Sequence, residues 1–295
     1  MADLPQDLLA TAIAAARAGS QVLRGYFGSA DLQVENKAEN DFVTRADKES
    51  EAAVLGTIRR RFPDHRVLAE EGGGRDIGGH SEYQWLVDPL DGTTNFLQGL
   101  PVWCVSVACR RAGQPVVAVI DDPLGGNLFT AQLGAGAQWN GRPMSTSAHP
   151  GLRGAFLATG YPFRAHATLD VYLATFRDVF LSAKGIRRCG SAALDLAYTA
   201  AGVYDGFFEF RLSPWDIGAG VLLVREAGGL ITDTDGGDDY FRGGNVIAGG
   251  PAVQRELLAA VARHTSEADL DRLQPVTPAA APTAPAVPTA PAGRQ

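Results

Sequence analysis

The chain has 295 residues, with 26 Lys+Arg against 33 Asp+Glu for a net charge of -7, and 45% of its residues are hydrophobic. That apolar content supports a large core and excludes a disordered or fibrous chain, and the acidic balance argues against binding nucleic acid by charge alone. No apolar run reaches the ~18–20 residues of a bilayer span, and the opening MADLPQDLL has acids where a secretory signal carries Lys or Arg, so a cytoplasmic protein without membrane contact is expected.

Leu8, Leu9, Ala12, Ile13, Ala16, Leu23, Tyr26 and Phe27 recur at helical spacing and predict an amphipathic helix that ends near Gly28. A second helix is expected over 45–62, with Val54, Leu55, Ile58 and Phe62 as its buried stripe and Pro63 as its stop. Trp85–Val87 reads as a short strand. Alternating runs at 102–110, 115–121 and 127–131, with Asn140-Gly141 as a further hairpin-type turn, predict an antiparallel sheet. Beyond about residue 150 the pattern changes to strands at 154–159, 207–210, 230–232 and 246–248. These alternate with helices at 167–182, 191–202, 215–227 and 251–263. The expected organisation is an α+β first half (1–148) packed on an α/β second half (149–264). A tail (265–295) follows, whose Pro, Ala and Thr repeats predict an extended, disordered segment.

The three cysteines, Cys104, Cys109 and Cys189, form no CxxC, and the five histidines are scattered. Neither a disulfide framework nor a His/Cys zinc site is expected, in keeping with a reducing cytoplasm. Cys104 and Cys109 sit in an apolar alternating run and are read as core. No phosphate loop of the GxxxxGK[ST] type, no dinucleotide fingerprint and no GxSxG elbow occurs.

Carboxylates are concentrated beside turn formers in three distant segments: Glu70-Glu71-Gly72, Asp88-Pro-Leu-Asp91-Gly-Thr-Thr94 and Trp215-Asp216. Asp88 follows a strand, and Pro89 fixes the backbone. A turn here brings Asp91 and the Leu90 carbonyl to the same point, and Gly92 permits close backbone approach. Such hard oxygens suit Mg²⁺, and the N–H groups of Gly92, Thr93 and Thr94 suit an anion. Each segment alone has an ordinary reading. Asp-Pro-x-Asp-Gly is also a common turn, Glu70-Glu71 a solvated loop, and Asp216 an acid favoured in a helix's first turn. Asp47 fits a capping box with Thr44.

Together these segments resemble the inositol monophosphatase family. Trp85-Leu-Val-Asp-Pro-Leu-Asp-Gly-Thr-Thr-Asn-Phe96 and Trp215-Asp-Ile-Gly-Ala-Gly-Val-Leu-Leu-Val-Arg-Glu-Ala-Gly-Gly229 look like its two signatures. Glu70-Glu71 and Asp41-Phe-Val-Thr-Arg-Ala-Asp47 stand in the matching order. Leu157–Phe163 and Arg188–Tyr198 are similar to its bacterial branch, which includes a protein implicated in ribosomal RNA antitermination. Two departures are mild: Ala69 stands where many members have Gly, and Gly218 stands where Ala is usual and is expected to loosen that helix start.

The resemblance implies an αβαβα layered sandwich and Mg²⁺-dependent, Li⁺-sensitive hydrolysis of a phosphate monoester, with two or three ions per site. It implies metal ligation by Glu70, Asp88, the Leu90 carbonyl, Asp91 and Asp216. Gly92, Thr93 and Thr94 are expected on the phosphate, with Glu70, Asp91 and Asp216 also reaching substrate. Gly190, Ser191, Ala192 and Glu209 would face the polyol, with Arg187 as a further candidate. Thr93 and Asp47, with Glu70, would orient the attacking water and draw off its proton. A homodimer is the family expectation. Myo-inositol 1-phosphate leads the substrates, with histidinol phosphate, fructose 1,6-bisphosphate and adenosine bisphosphate as alternatives. The basic clusters Arg59–Arg61 and Arg187-Arg188 leave a partnership with transcription antitermination machinery open, although cations are favoured at a helix end in any case.

Overall fold

A computed structural model describes residues 7–29, 32, 34–38, 41–161 and 166–266; the expected Pro/Ala-rich tail lies, but for its first two residues, outside the described residues. The chain runs through α1 (Leu8–Tyr26), β1 (Glu35–Ala38), β2 (Asp41–Val43), α2 (Arg45–Arg61), β3 (Arg66–Ala69), β4 (Asp76–Ile77), β5 (Tyr83–Asp91) and α3 (Thr93–Leu97). It continues through β6 (Cys104–Arg111), β7 (Gln114–Asp122), β8 (Asn127–Gln132), β9 (Gly136–Trp139), β10 (Arg142–Pro143), β11 (Phe156–Thr159), α4 (Leu169–Ser182), β12 (Gly185–Arg187) and α5 (Ala192–Ala200). Last come β13 (Gly206–Glu209), α6 (Pro214–Glu226), β14 (Leu230–Thr232), α7 (Tyr240–Gly243), β15 (Val246–Gly249) and α8 (Pro251–His264). No described helix is long and apolar enough to cross a membrane.

Besides the antiparallel β1-β2 ribbon, two larger sheets organise these elements. The larger has the order β10-β9-β8-β7-β6-β5-β3-β4 and is antiparallel except where β3 runs parallel to β5. The smaller is mixed, in the order β12-β11-β13-β15-β14. Its β11 runs parallel to β12 and β13, and β15 antiparallel to β13 and β14. Strand alternation assigns each side chain to a layer. Trp85 and Val87 of β5 join Leu8, Leu23, Val54 and Ile58 under α1 and α2, whereas Leu86 joins Leu196, Ile217 and Val221 of α5 and α6. On β13, Phe207 faces that central layer, while Phe208 faces Tyr172 and Val179 of α4 and Leu257 of α8. The result is the layered sandwich α1/α2, sheet, α5/α6, sheet, α4/α8.

Two local findings modify the sequence reading. The acidic segment after Trp85–Val87 is not a turn beyond a strand: β5 continues through Asp91. It carries a bulge in which Asp88 pairs with Ser106 and Asp91 with Cys104, three steps on β5 against two on β6. A bulge is where a Pro is tolerated inside a sheet, and Pro89 occupies it. Gly218 does not loosen α6 but brings it close. A Cβ there would meet Leu86 Cδ1 at 2.7 Å, so the missing side chain sets the distance from α6 to β5.

Candidate active site

The bulge in β5 creates the site. In a regular strand Asp88 and Asp91, three residues apart, would point to opposite faces; one extra residue returns both to the same side. Asp88, Leu90 and Asp91 accordingly line one cavity of about 350 Å³. Asp88 is buried, and its Oδ1 accepts from Leu90 N at 3.0 Å. The Pro89 carbonyl accepts from Ser50 Oγ of α2 at 2.9 Å, which ties the bulge to the outer helix layer.

Glu70 arrives by strand register. β3 lies parallel to β5 with Ala69 opposite Val87, and Glu70 N donates to Val87 O at 3.2 Å. Glu70, just past the end of β3, and Asp88, at the bulge of β5, thus lie side by side on adjacent parallel strands. Glu71 is held elsewhere, its N–H on Glu51 Oε2 at 2.8 Å. Asp216 comes from the first turn of α6, where its Oδ2 accepts from Ser213 N at 2.7 Å. Both Glu70 and Asp216 line the cavity.

These acids feel one another. Burial pushes Asp88 well above the usual carboxylate range, and the charges of Glu70, Asp91 and Asp216 push it further. Burial also pushes Asp91 up to about 6, against hydrogen bonds from Ser191 and Ala193. Among the described residues, no three His, Cys, Asp or Glu side chains meet closely enough to hold an ion as they stand. Asp88, Asp91 and Asp216 each accept a hydrogen bond from a local N–H or hydroxyl donor. The donor set, four carboxyls and one carbonyl converging on a polar cavity, is all hard oxygen and fits a divalent cation such as Mg²⁺.

Beside the acids, α3 begins at Gly92, whose φ of 100° is one that L side chains rarely adopt. A Cβ there would also meet the Val102 carbonyl at 2.9 Å. Thr93 Oγ1 lies 3.2 Å from Asp47 Oδ1 and 3.1 Å from the Leu90 carbonyl. Asp47 is fully buried, and its other oxygen accepts from Thr44 N at 2.8 Å and from Thr44 Oγ1 at 2.5 Å. The capping box and the contact to Thr93 coexist in one carboxylate.

The second wall comes from the other sheet and from α5. Gly190, Ser191, Ala192 and Glu209 all line the cavity, as do Thr93 and Thr94. Ser191 is 1% exposed, and its hydroxyl donates to Asp91 Oδ2 at 2.5 Å and accepts from Leu194 N at 3.4 Å. It thereby holds Asp91 and caps α5 from the cavity wall. Cys104 joins this group, with Sγ 3.9 Å from Asp91 Oδ2 and 3.7 Å from Ser191 Oγ, so it is more than core packing. Arg187 stands apart from the cavity. It is exposed, with its guanidinium 4.7 Å from the Phe156 ring centroid. Consecutive side chains diverge: Arg188, 5.1 Å from the Tyr161 ring, lines the cavity, as does Arg211. Asp195, also on the cavity wall, was not singled out from sequence. Its position one helical turn after Ser191 was the available signal.

A carboxylate-lined cavity between the two sheets of an αβαβα sandwich, with a threonine–aspartate pair at its edge, defines the sugar-phosphatase class of fold. A model of the inositol monophosphatase family matches residues 4–269, and the chain belongs to that family. Among its relatives is "Nus factor SuhB" of Salmonella typhimurium strain LT2, 45% identical over 88% of this chain and 98% of the relative. The suhB extragenic suppressor protein of Bartonella henselae superposes with a TM-score of 0.83 at 41% identity, covering 88% of this chain and 99% of that one. An inositol monophosphatase from Anabaena gives 0.77 at 39% identity, covering 88% and 96%.

Proposed function

We propose that this protein is a Mg²⁺-dependent phosphomonoesterase that releases phosphate from a small phosphorylated polyol, myo-inositol 1-phosphate foremost. The observation that carries the reading is the convergence of Glu70, Asp88, Asp91 and Asp216 on one cavity beside the Thr93–Asp47 pair. Two or three Mg²⁺ held by those four carboxylates and the Leu90 carbonyl would make water nucleophilic at neutral pH and neutralise the leaving oxygen. The remaining chemistry belongs to the chain. Thr93 Oγ1 donates toward Asp47 and keeps lone pairs for the attacking water. As Thr93 passes its proton to Asp47 it takes one from that water, with Glu70 holding the water on its other side. The first turn of α3, from Gly92 through Thr94, receives the phosphate oxygens. Gly190, Ala192 and Glu209 meet the leaving group, and Arg188 replaces Arg187 as the arginine candidate. The Glu209 carboxylate would repel a second phosphate, which favours a monophosphorylated polyol over fructose 1,6-bisphosphate or adenosine bisphosphate.

Phosphate release with Mg²⁺ from a panel of myo-inositol 1-phosphate, histidinol phosphate, fructose 1,6-bisphosphate and adenosine bisphosphate tests the reading, with inhibition by Li⁺ as a second readout. Turnover of none of them would overturn it. A second role is favoured by the relatives that carry the name Nus factor at 45% identity. We read it as a partnership with the transcription antitermination machinery, compatible with the same fold. Co-purification of antitermination factors with the tagged chain tests it. A cytoplasmic homodimer completes the proposal.

A further inference from the structure

Asp195 carries a buried carboxyl for which the proposed reaction has no use. It is 2% exposed, and its Oδ1 has no hydrogen-bond partner although the side chain lines the cavity. A buried acceptor left unpaired is costly, so such groups are kept where something else completes them. Asp195 lies four residues after Ser191, on the α5 face that already serves the cavity. Glu209, Asp91 and Arg188 are the charged groups that act on it from the same cavity. Glu209 is pressed against Gly160, where a Cβ would fall 1.9 Å from its carboxyl carbon. The carboxyls of Asp91, Glu209 and Asp195 outnumber the guanidiniums of Arg188 and Arg211 on this wall, which suits neutral hydroxyls better than a further anion.

We infer that Asp195 is a specificity-determining residue that completes its hydrogen bonding with a hydroxyl of the substrate's polyol, in addition to the contact expected of Glu209. This rests on the phosphomonoesterase reading and adds to it a requirement for at least two hydroxyls on the leaving group. Burial holds the Asp195 carboxyl well above the usual range, in keeping with a group that exchanges hydrogen bonds with hydroxyls rather than pairing as an ion.

The experiment compares wild type, Asp195→Ala and Asp195→Asn on myo-inositol 1-phosphate and on p-nitrophenyl phosphate, which has no hydroxyl. With Asp195→Ala, kcat/KM for the inositol ester should fall about tenfold or more, chiefly through KM, as expected for one lost hydrogen bond. Turnover of the nitrophenyl ester should hold within about threefold, and the metal-free protein should melt at a higher temperature because an unpaired buried carboxyl has gone. Asp195→Asn, which keeps one acceptor, should fall between the two. Equal losses on both esters, or none on either, would overturn the inference. If the Ala variant fails to fold, the Asn variant decides by the same ratio. Wild-type protein inactive on both esters would instead remove the proposed reaction, and the inference with it.

Discussion

The Ser191 hydroxyl donates to Oδ2 of Asp91 across 2.5 Å, and the Ala193 N–H reaches the same oxygen at 2.8 Å. One residue at the start of α5 therefore holds the last residue of β5, a hundred positions earlier in the chain. The same Ser191 oxygen caps α5 through Leu194 N, so one hydroxyl serves both the acid and the helix.

Ser191→Ala removes both interactions. The loss of a hydrogen bond to a charged group and of a cap destabilises by roughly 1–3 kcal/mol. Asp91 then keeps the Ala193 N–H but loses its hydroxyl partner, and the Mg²⁺ concentration needed for half-maximal thermal stabilisation should rise several-fold. Ser191→Thr keeps the hydroxyl and should restore it. A Mg²⁺ titration of the melting temperature for the three proteins checks this; an unchanged midpoint in the Ala variant would refute the positioning role.

The acid cluster also sets a pH dependence. Burial and neighbouring charge raise Asp88, and burial raises Asp91 from 3.8 to about 6. A carboxyl with a raised pKa keeps its proton in the folded state where the unfolded chain has already released it. The folded state then binds more protons, and stability falls as pH rises from 3.8 through about 6. As proposed ligands of Mg²⁺ these groups would bind it ionised, so binding would release protons and weaken at low pH. At a hundredfold excess over its dissociation constant, Mg²⁺ should raise the melting temperature by about 5–10 °C at pH 7.5. The rise should be clearly smaller at pH 5. Equal shifts at both values would mean that the ion binds elsewhere.

Much of the lining of this candidate site is legible in the sequence, because its acids sit in contiguous motifs. The apolar spacing of α1 and α2 and the Thr44–Asp47 cap were equally plain. What local sequence could not show was geometry set by distant partners. Asp-Pro-Leu-Asp reads as a turn, since Asp and Pro are turn formers; only pairing with Ser106 and Cys104 reveals a bulged central strand. β3, which delivers Glu70, is four residues long and gives too little alternation to register alone. Arg187 and Arg188 are interchangeable in sequence, and the end of β12 separates them. Asp195 resembles any helical acid until burial is known.

Gly160 supplies a further test, one of space. Its Cα lies where a side chain would overlap the Glu209 carboxyl, with a Cβ 1.9 Å from both Cδ and Oε1. Gly160→Ala must therefore displace Glu209 or move the chain. Catalytic efficiency on myo-inositol 1-phosphate should fall about tenfold or more, while the Mg²⁺-induced rise in melting temperature stays near that of the wild type. A loss of the Mg²⁺ effect as well would show that the damage reaches the acids and that Glu209 is not the element displaced.

Asp47 offers the sharpest separation of folding from chemistry. Its Oδ2 holds Thr44 N and Oγ1, and its Oδ1 faces Thr93 Oγ1. In Asp47→Asn the amide oxygen can take the Oδ2 position and keep the cap of α2, which leaves the NH₂ toward Thr93. That group donates and cannot accept a proton. The variant should fold, with a stability loss near 1 kcal/mol, and should keep its Mg²⁺-induced stabilisation, because Asp47 is not among the proposed ligands. Its kcat should drop by about 10²–10⁴, the range for losing a positioned base. Thr93→Val interrupts the same proton path from the other side. The double variant should be little worse than either single one, since groups that act as a unit are not additive. Near-normal kcat in Asp47→Asn would require the proton to leave by another route, and additive losses would mean that Thr93 and Asp47 act separately.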